Sequence, residues 1–349
     1  MAQRQSTAVR ASLVATGASV LLVLAIVLGS RGLKDFDSAL VPYAVATVFL
    51  TFGVVYRYMV WISAPAARRL FRQGWRSALS WQNLRTAPTA LPRMIVTYLG
   101  FQKFLGARSH ARWAAHQLMF WGCLLAAAIT FPLTWGWFTF TASSAAGPGY
   151  EMRIWGFKVL GFASDSLFGW AMYHGLDLAA VLVIAGAGYF LWRRMRDRAA
   201  TTGQRFGYDF VPLLALITIS VTGLLLTFSS VFLHGGGYEF LALLHMASVV
   251  LTLVYLPFGK FFHIVQRPAA VGMQLFKYTT KIKGPEAAED LFACRKCGEA
   301  IDTPEYVENL RGTMQDLKLG FDQWAEYCPR CKRVLRGSAY LSQVKKGFK

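Results

Sequence analysis

The chain has 349 residues, 55% of them hydrophobic and only 16% charged, with a mean hydropathy of +0.37. That balance excludes an ordinary soluble enzyme of two or three domains. Lys and Arg outnumber Asp and Glu by 37 to 18, a formal charge of +19. In a chain with long apolar runs, such charge marks membrane surfaces before it marks nucleic acid, so a lipid bilayer is the expected partner and nucleic acid is not.

Six runs are long enough to cross a hydrocarbon core of about 30 Å: residues 12–28, 39–62, 113–134, 167–191, 209–232 and 238–262. The first follows Arg4 and Arg10, as a signal peptide would, but no convincing cleavage site precedes Ser30, and it is read as a retained helix. The connection over residues 63–113 carries nine basic residues, from Arg68 to Arg112, and no acidic one. Arg193, Arg194, Arg196, Arg198 and Arg205 follow the fourth run, whereas over 137–166 Arg153 and Lys158 are balanced by Glu151 and Asp165. The positive-inside rule puts the first two connections in the cytoplasm and the third outside. The tail after Lys260 is again basic, and six crossings return both termini to the cytoplasmic side of an inner membrane.

The expected fold is therefore an all-α integral membrane protein. It has an N-terminal helix and outer turn (1–36), a five-helix core (37–275) and a small cytoplasmic tail (276–349). Within the inner connection, residues 91–105 mix apolar and basic side chains and read either as a helix lying along the headgroups or as an extension of the third span. Residues 142–150, rich in Ser, Ala, Gly and Pro, read as a loop.

Four of the six histidines lie in or at the ends of predicted spans. His245 and His263 are eighteen residues apart on the sixth, which on a continuous helix is five turns and about 27 Å. His116 opens the third span at the level of His263, and His174 opens the fourth at the level of His245. Imidazoles paired across a gap between helices are what a low-spin haem iron needs, so the layout predicts two haems b, one above the other. Unrelated histidines bonded at helix ends are the plain alternative. Arg108, Arg112, Lys260 and Arg267 surround the inner pair, where they suit haem propionates and equally satisfy the positive-inside rule.

The sixth span and its exit, HMASVVLTLVYLPFGKFFHIVQRP, resemble the last helix of the nitrate reductase gamma subunits and related membrane cytochrome b subunits of heterodisulfide-reductase-like complexes. AHQLMFWG at 115–122 resembles a histidine-bearing helix of the same group, and the resemblance covers about residues 40–275. In that family a second histidine follows ten residues after the first on the earlier helix. Here that position is Ala126, so His174 takes its place by depth, with His234 in reserve. The resemblance implies an electron-transfer subunit of a respiratory complex that exchanges electrons with the quinone or menaquinone pool near the outer haem. From there they pass through the inner haem to or from a cytoplasmic iron-sulfur, flavin or molybdenum subunit. Asp177, one turn from His174, is the candidate for exchanging a quinone proton or orienting His174; a plain hydrogen bond to a neighbouring helix is the alternative. Trp121, Trp135 and Trp137 read as an interfacial belt before a quinone clamp.

Four of five cysteines form two C-x-x-C pairs, Cys294 with Cys297 and Cys328 with Cys331. This spacing predicts a tetrahedral four-thiolate metal site, in a zinc-ribbon-like or rubredoxin-like module. Zinc is the first choice and mononuclear iron the rival; Lys332, where rubredoxins usually carry glycine, weighs against iron. Cys123 reads as a small core residue, and Asp302 and Asp322 as solvated. No nucleotide-binding glycine fingerprint or ferredoxin-type cysteine run occurs, so the terminal substrate belongs to another subunit. The competing reading is a haem-free membrane anchor or transporter with a structural zinc ribbon; a third is a self-contained transmembrane haem reductase.

Overall fold

The computed structural model describes residues 2–63, 68, 71–72, 74–76, 79–81, 85, 89–106, 109–143, 149–196, 206–269, 271, 292–302, 304–316, 318, 320 and 322–347. The chain forms two compact units: Met1–Arg57 with Gln102–Ile264, and Tyr58–Phe101 with Val265–Lys349.

Six helices are long and apolar enough to cross a membrane. They are α1 (Ala2–Gly29), α2 (Val41–Ser63), α3 (His110–Thr134), α4 (Leu167–Arg196), α5 (Val211–Phe232) and α6 (Tyr238–Tyr255). Large apolar side chains such as Leu21, Val45, Val181 and Leu251 stay exposed along them, as lipid-facing residues do, because hydrocarbon replaces protein as their cover. α3 packs on α4, α4 on α5, and α5 on α6. Small residues set the α3–α4 seam. A Cβ at Gly122 would stand 2.9 Å from both the Ala179 carbonyl and Val183 Cγ2, and at Gly186 it would strike the Ala115 carbonyl and lie 2.8 Å from the Met119 nitrogen. The backbones thus approach as closely as glycine permits.

The sixth helix departs from the sequence expectation. It ends at Tyr255, because Pro257 has no N–H with which to continue the helical ladder, although Leu256 before it keeps helical angles. The chain turns through Pro257–Gly259, forms a 3₁₀ turn over Lys260–Phe262, and resumes as helix over 263–269. His245 and His263 therefore stand on separate helical segments, and the five-turn phase relation does not hold. The turn is clasped by α2. Arg57 Nη1 donates to the Pro257 carbonyl, its guanidinium lies 4.3 Å from the centre of the Phe262 ring, and Gly53 faces Pro257 where a Cβ would come within 2.7 Å of the ring.

The connection between α3 and α4 also differs. It holds a three-stranded antiparallel sheet, β1 (Phe138–Ser143), β2 (Gly149–Ile154) and β3 (Phe157–Ala163); of the stretch read as a loop, 142–143 and 149–150 are the facing strand ends and 144–148 lie outside the described residues. Trp155 and Gly156, with φ of 51° and 82°, make the two-residue turn joining β2 and β3, the positive-φ geometry that matches strand twist. Trp135 and Trp137 sit beside this sheet and dock α3 on the first two helices. Trp135 Nε1 donates to Thr47 Oγ1 at 3.2 Å and Trp137 Nε1 to the Ala25 carbonyl at 3.0 Å.

Of the stretch 91–105, Ala90–Met94 is α-helical, Ile95–Gly100 is π-helical and Lys103–Gly106 is a separate turn. Ser109, extended and accepting from the Arg112 nitrogen, caps α3, so the stretch is not an extension of the third span. In the second unit, strands β4 (Phe292–Ala293) and β5 (Ala300–Asp302) pair antiparallel, followed by α7 (Pro304–Asp316) and α8 (Pro329–Gly347).

Candidate functional site

Three of the four span histidines are held through the same ring nitrogen. On α4, His174 Nδ1 lies 2.8 Å from Asp177 Oδ2, while Asp177 Oδ1 accepts from Thr227 Oγ1 of α5 at 2.7 Å. Asp177 thus orients His174 and bonds the neighbouring helix at once, joining two readings the sequence left as alternatives. On α6, His245 Nδ1 lies 2.9 Å from Thr222 Oγ1 of α5. The single proton of Thr222 points to the Thr218 and Ile219 carbonyls at 2.8 and 3.0 Å, so its lone pair accepts from the ring. His263 Nδ1 lies 2.6 Å from the Lys260 carbonyl, which can only accept.

In each case the partner of Nδ1 is an acceptor, so Nδ1 carries a proton. That is the tautomer of a metal-binding imidazole whose other nitrogen is fixed by an outer hydrogen bond. His116, half-buried on α3, meets the Phe190 ring of α4 edge-on at 6.4 Å between centroids. His234 is exposed in a turn with φ of 50°, away from any such support.

The basic candidates divide. Lys260 Nζ is 2.7 Å from Asp209 Oδ1, which Arg194 also approaches at 3.2 Å, so its charge is already matched. The Arg112 side chain is half-buried near the start of α3. Arg267 is half-buried, and that burial lowers its guanidinium from the ordinary value. Arg108 lies outside the described residues. Sequence reasoning missed Thr222, Thr227 and Asp209. A hydroxyl in an apolar span ordinarily bonds its own preceding turn, and nothing in the sequence marks those that also reach a histidine.

The cysteines converge. The four sulfurs of Cys294, Cys297, Cys328 and Cys331 lie within 4.8 Å of one another, three of the residues buried and Cys297 exposed. The first pair is a knuckle between β4 and β5, closed by Gly298 at φ 70°, whose N–H donates to the Cys294 carbonyl at 2.9 Å. The second is not part of a ribbon. Pro329 opens α8, so Cys328 stands at that helix's N-terminal boundary and Cys331 in its first turn, where proline is favoured because no N–H is needed. Glu326, buried, accepts from Arg295 at 2.9 Å and from Arg311, tying the first knuckle to the segment that leads into the second.

Burial opposes ionisation of Cys294, yet the N–H groups of Cys328, Cys297 and Lys296 outweigh it and lower the thiol to about 6. Burial and the neighbouring sulfurs push Cys331 up to about 12. One ionised thiol among protonated ones is an arrangement that a soft divalent cation completes by displacing protons. Four close cysteine sulfurs suit Zn or Fe alike. No family model, curated protein or solved structure matches the chain.

Proposed function

We propose that this chain is a membrane cytochrome b subunit of a respiratory complex, relaying electrons between a quinone pool and a redox partner at the cytoplasmic side. The observation that carries the reading is the shared tautomer of His174, His245 and His263, each pinned at Nδ1. His174 with His245 would hold an outer haem b, and His116 with His263 an inner one. Bound haem supplies one-electron exchange at its iron. The protein's own part is to fix the rings. Asp177 and Thr222 hold the rings of His174 and His245 against rotation, and the Asp177 carboxylate, accepting from His174 through Oδ2 and from Thr227 through Oδ1, ties α4 to α5 at that level. The four-cysteine module would bind zinc, or iron as the alternative, and dock the iron-sulfur, flavin or molybdenum subunit.

The test is a dithionite-minus-air difference spectrum of the purified protein, with a pyridine haemochrome count and elemental zinc and iron on the same sample. Two haems b per chain is the expected result, and one would leave a single pair. Intact protein without haem refutes the reading in favour of a membrane anchor or transporter bearing a metal module.

A further inference from the structure

The three-stranded sheet sorts its side chains by face. The β1–β2 register places Phe138, Phe140 and Ala142 opposite Ile154, Met152 and Tyr150, while Thr139 and Thr141 stand opposite Arg153 and Glu151. A register shift at Met152/Arg153 pairs Lys158 with Arg153 and Leu160 with Met152, so that Val159 bulges out. Strict alternation would send Phe157 and Leu160 to opposite faces. The bulge puts both on the apolar one. The other face carries glycine, Ala163, hydroxyls and a compact ion group, with Glu151 accepting from Lys158 at 2.6 Å and from Arg153 at 3.4 Å.

Protein covers only part of the apolar face. Phe162 packs on Phe168 and Tyr150 on Tyr173, both at the start of α4, with ring centroids 5.2 and 5.7 Å apart. Phe157 remains 76% exposed and the turn residue Trp155 55% exposed. Leu167 and Trp170, at the first turns of α4, are likewise 84% and 60% exposed, on a helix into which β3 leads and which is suited to cross the bilayer. Tryptophan and other aromatic side chains at such a boundary suit the headgroup level.

We propose that the apolar face of this sheet lies on the bilayer, with Trp155 and Phe157 inserted among the lipid headgroups and the Glu151 face turned to water. The sheet is then a monotopic foot that fixes the depth of α3 and α4. This inference needs the six spans but not the haem.

The test uses the full-length protein in phosphatidylcholine vesicles, with a nitroxide attached at Phe157→Cys or, as the polar-face control, at Thr141→Cys. Labelled wild-type protein supplies the background from native cysteines. Power saturation then compares access to oxygen, which concentrates in lipid, with access to a water-soluble nickel chelate. The expected result is an oxygen-to-chelate ratio several-fold higher at position 157 than at 141. Equal chelate access at both positions would overturn the proposal. So would a label at 157 that neither reagent reaches, since a protein surface would then be its cover. Both replaced side chains are exposed, and retention of α-helical circular dichroism checks that each labelled variant is folded.

Discussion

Thr222→Val keeps the shape of the side chain and deletes one oxygen, the acceptor 2.9 Å from His245 Nδ1. The ring then either leaves its N–H unpaired in a low-dielectric site or rotates to find another partner. An unmade hydrogen bond at a buried donor costs about 1–3 kcal/mol. If that loss falls wholly on holding the ring for an axial ligand, it is about a 5- to 150-fold loss in affinity. The Ile219 backbone also hydrogen-bonds the ring and is a substitute acceptor, which moves the expected figure toward the lower end. The assay is haem content per chain and the midpoint potential of each haem in a redox titration, for wild type, Thr222→Val and Thr222→Ser. The outer haem should be depleted or shifted in the valine variant and restored by serine, with the inner haem unchanged. Equal haem content and equal potentials in all three proteins would refute the idea that Thr222 sets the tautomer of a ligand.

Asp177→Asn removes the anion behind His174 and should raise the outer haem's potential by about tens of millivolts, read in the same titration, since a nearby negative charge favours the oxidised centre. Gly186→Ala places a methyl against the Ala115 carbonyl and should cost about 1–3 kcal/mol, seen as a lower thermal midpoint in detergent; an unchanged midpoint would mean that α3 and α4 part without penalty. Metal affinity of the tail should fall as pH falls. Above about 6, Cys294 is already ionised, whereas Cys331, held up to about 12, and Cys328, also raised, must release protons on binding. Below about 6, Cys294 adds a further proton to displace and the decline steepens. Chelator competition at pH 5.5, 7 and 8 checks this, and a flat profile would exclude thiolate ligation.

What the sequence made legible follows from which forces act locally. Six apolar spans and the two cysteine pairs are written in consecutive residues, and both stand in the structure with little change. The end of α6 at Tyr255 was also written, in Pro257 and Gly259, but continuous hydropathy through Phe262 hid it, because hydrophobicity measures burial in lipid and not backbone geometry. The sheet escaped notice because the bulge at Val159 breaks the two-residue alternation that reveals a strand. CPRC read as a second knuckle although proline after Cys328 suits the first position of a helix. Thr222, the partner of His245, lies 23 residues before it, and Thr227, the partner of Asp177, lies 50 residues after it, distances over which a single sequence carries no pairing signal.

The clasp of Arg57 on the turn at Pro257 bears on how the protein is made. Its acceptor carbonyls are 200 and 202 residues downstream, so they do not exist when α2 leaves the ribosome. Until the last span is synthesised, a guanidinium within the second span lacks these acceptors, a costly state in hydrocarbon. The second span must then wait, near the translocation machinery or with its arginine reaching the headgroups, and assembly closes from the C-terminal end. A chain truncated just before residue 257 would contain all six apolar helices and still lack both acceptors of Arg57, an exposed charge by which membrane quality control could tell partial from complete protein.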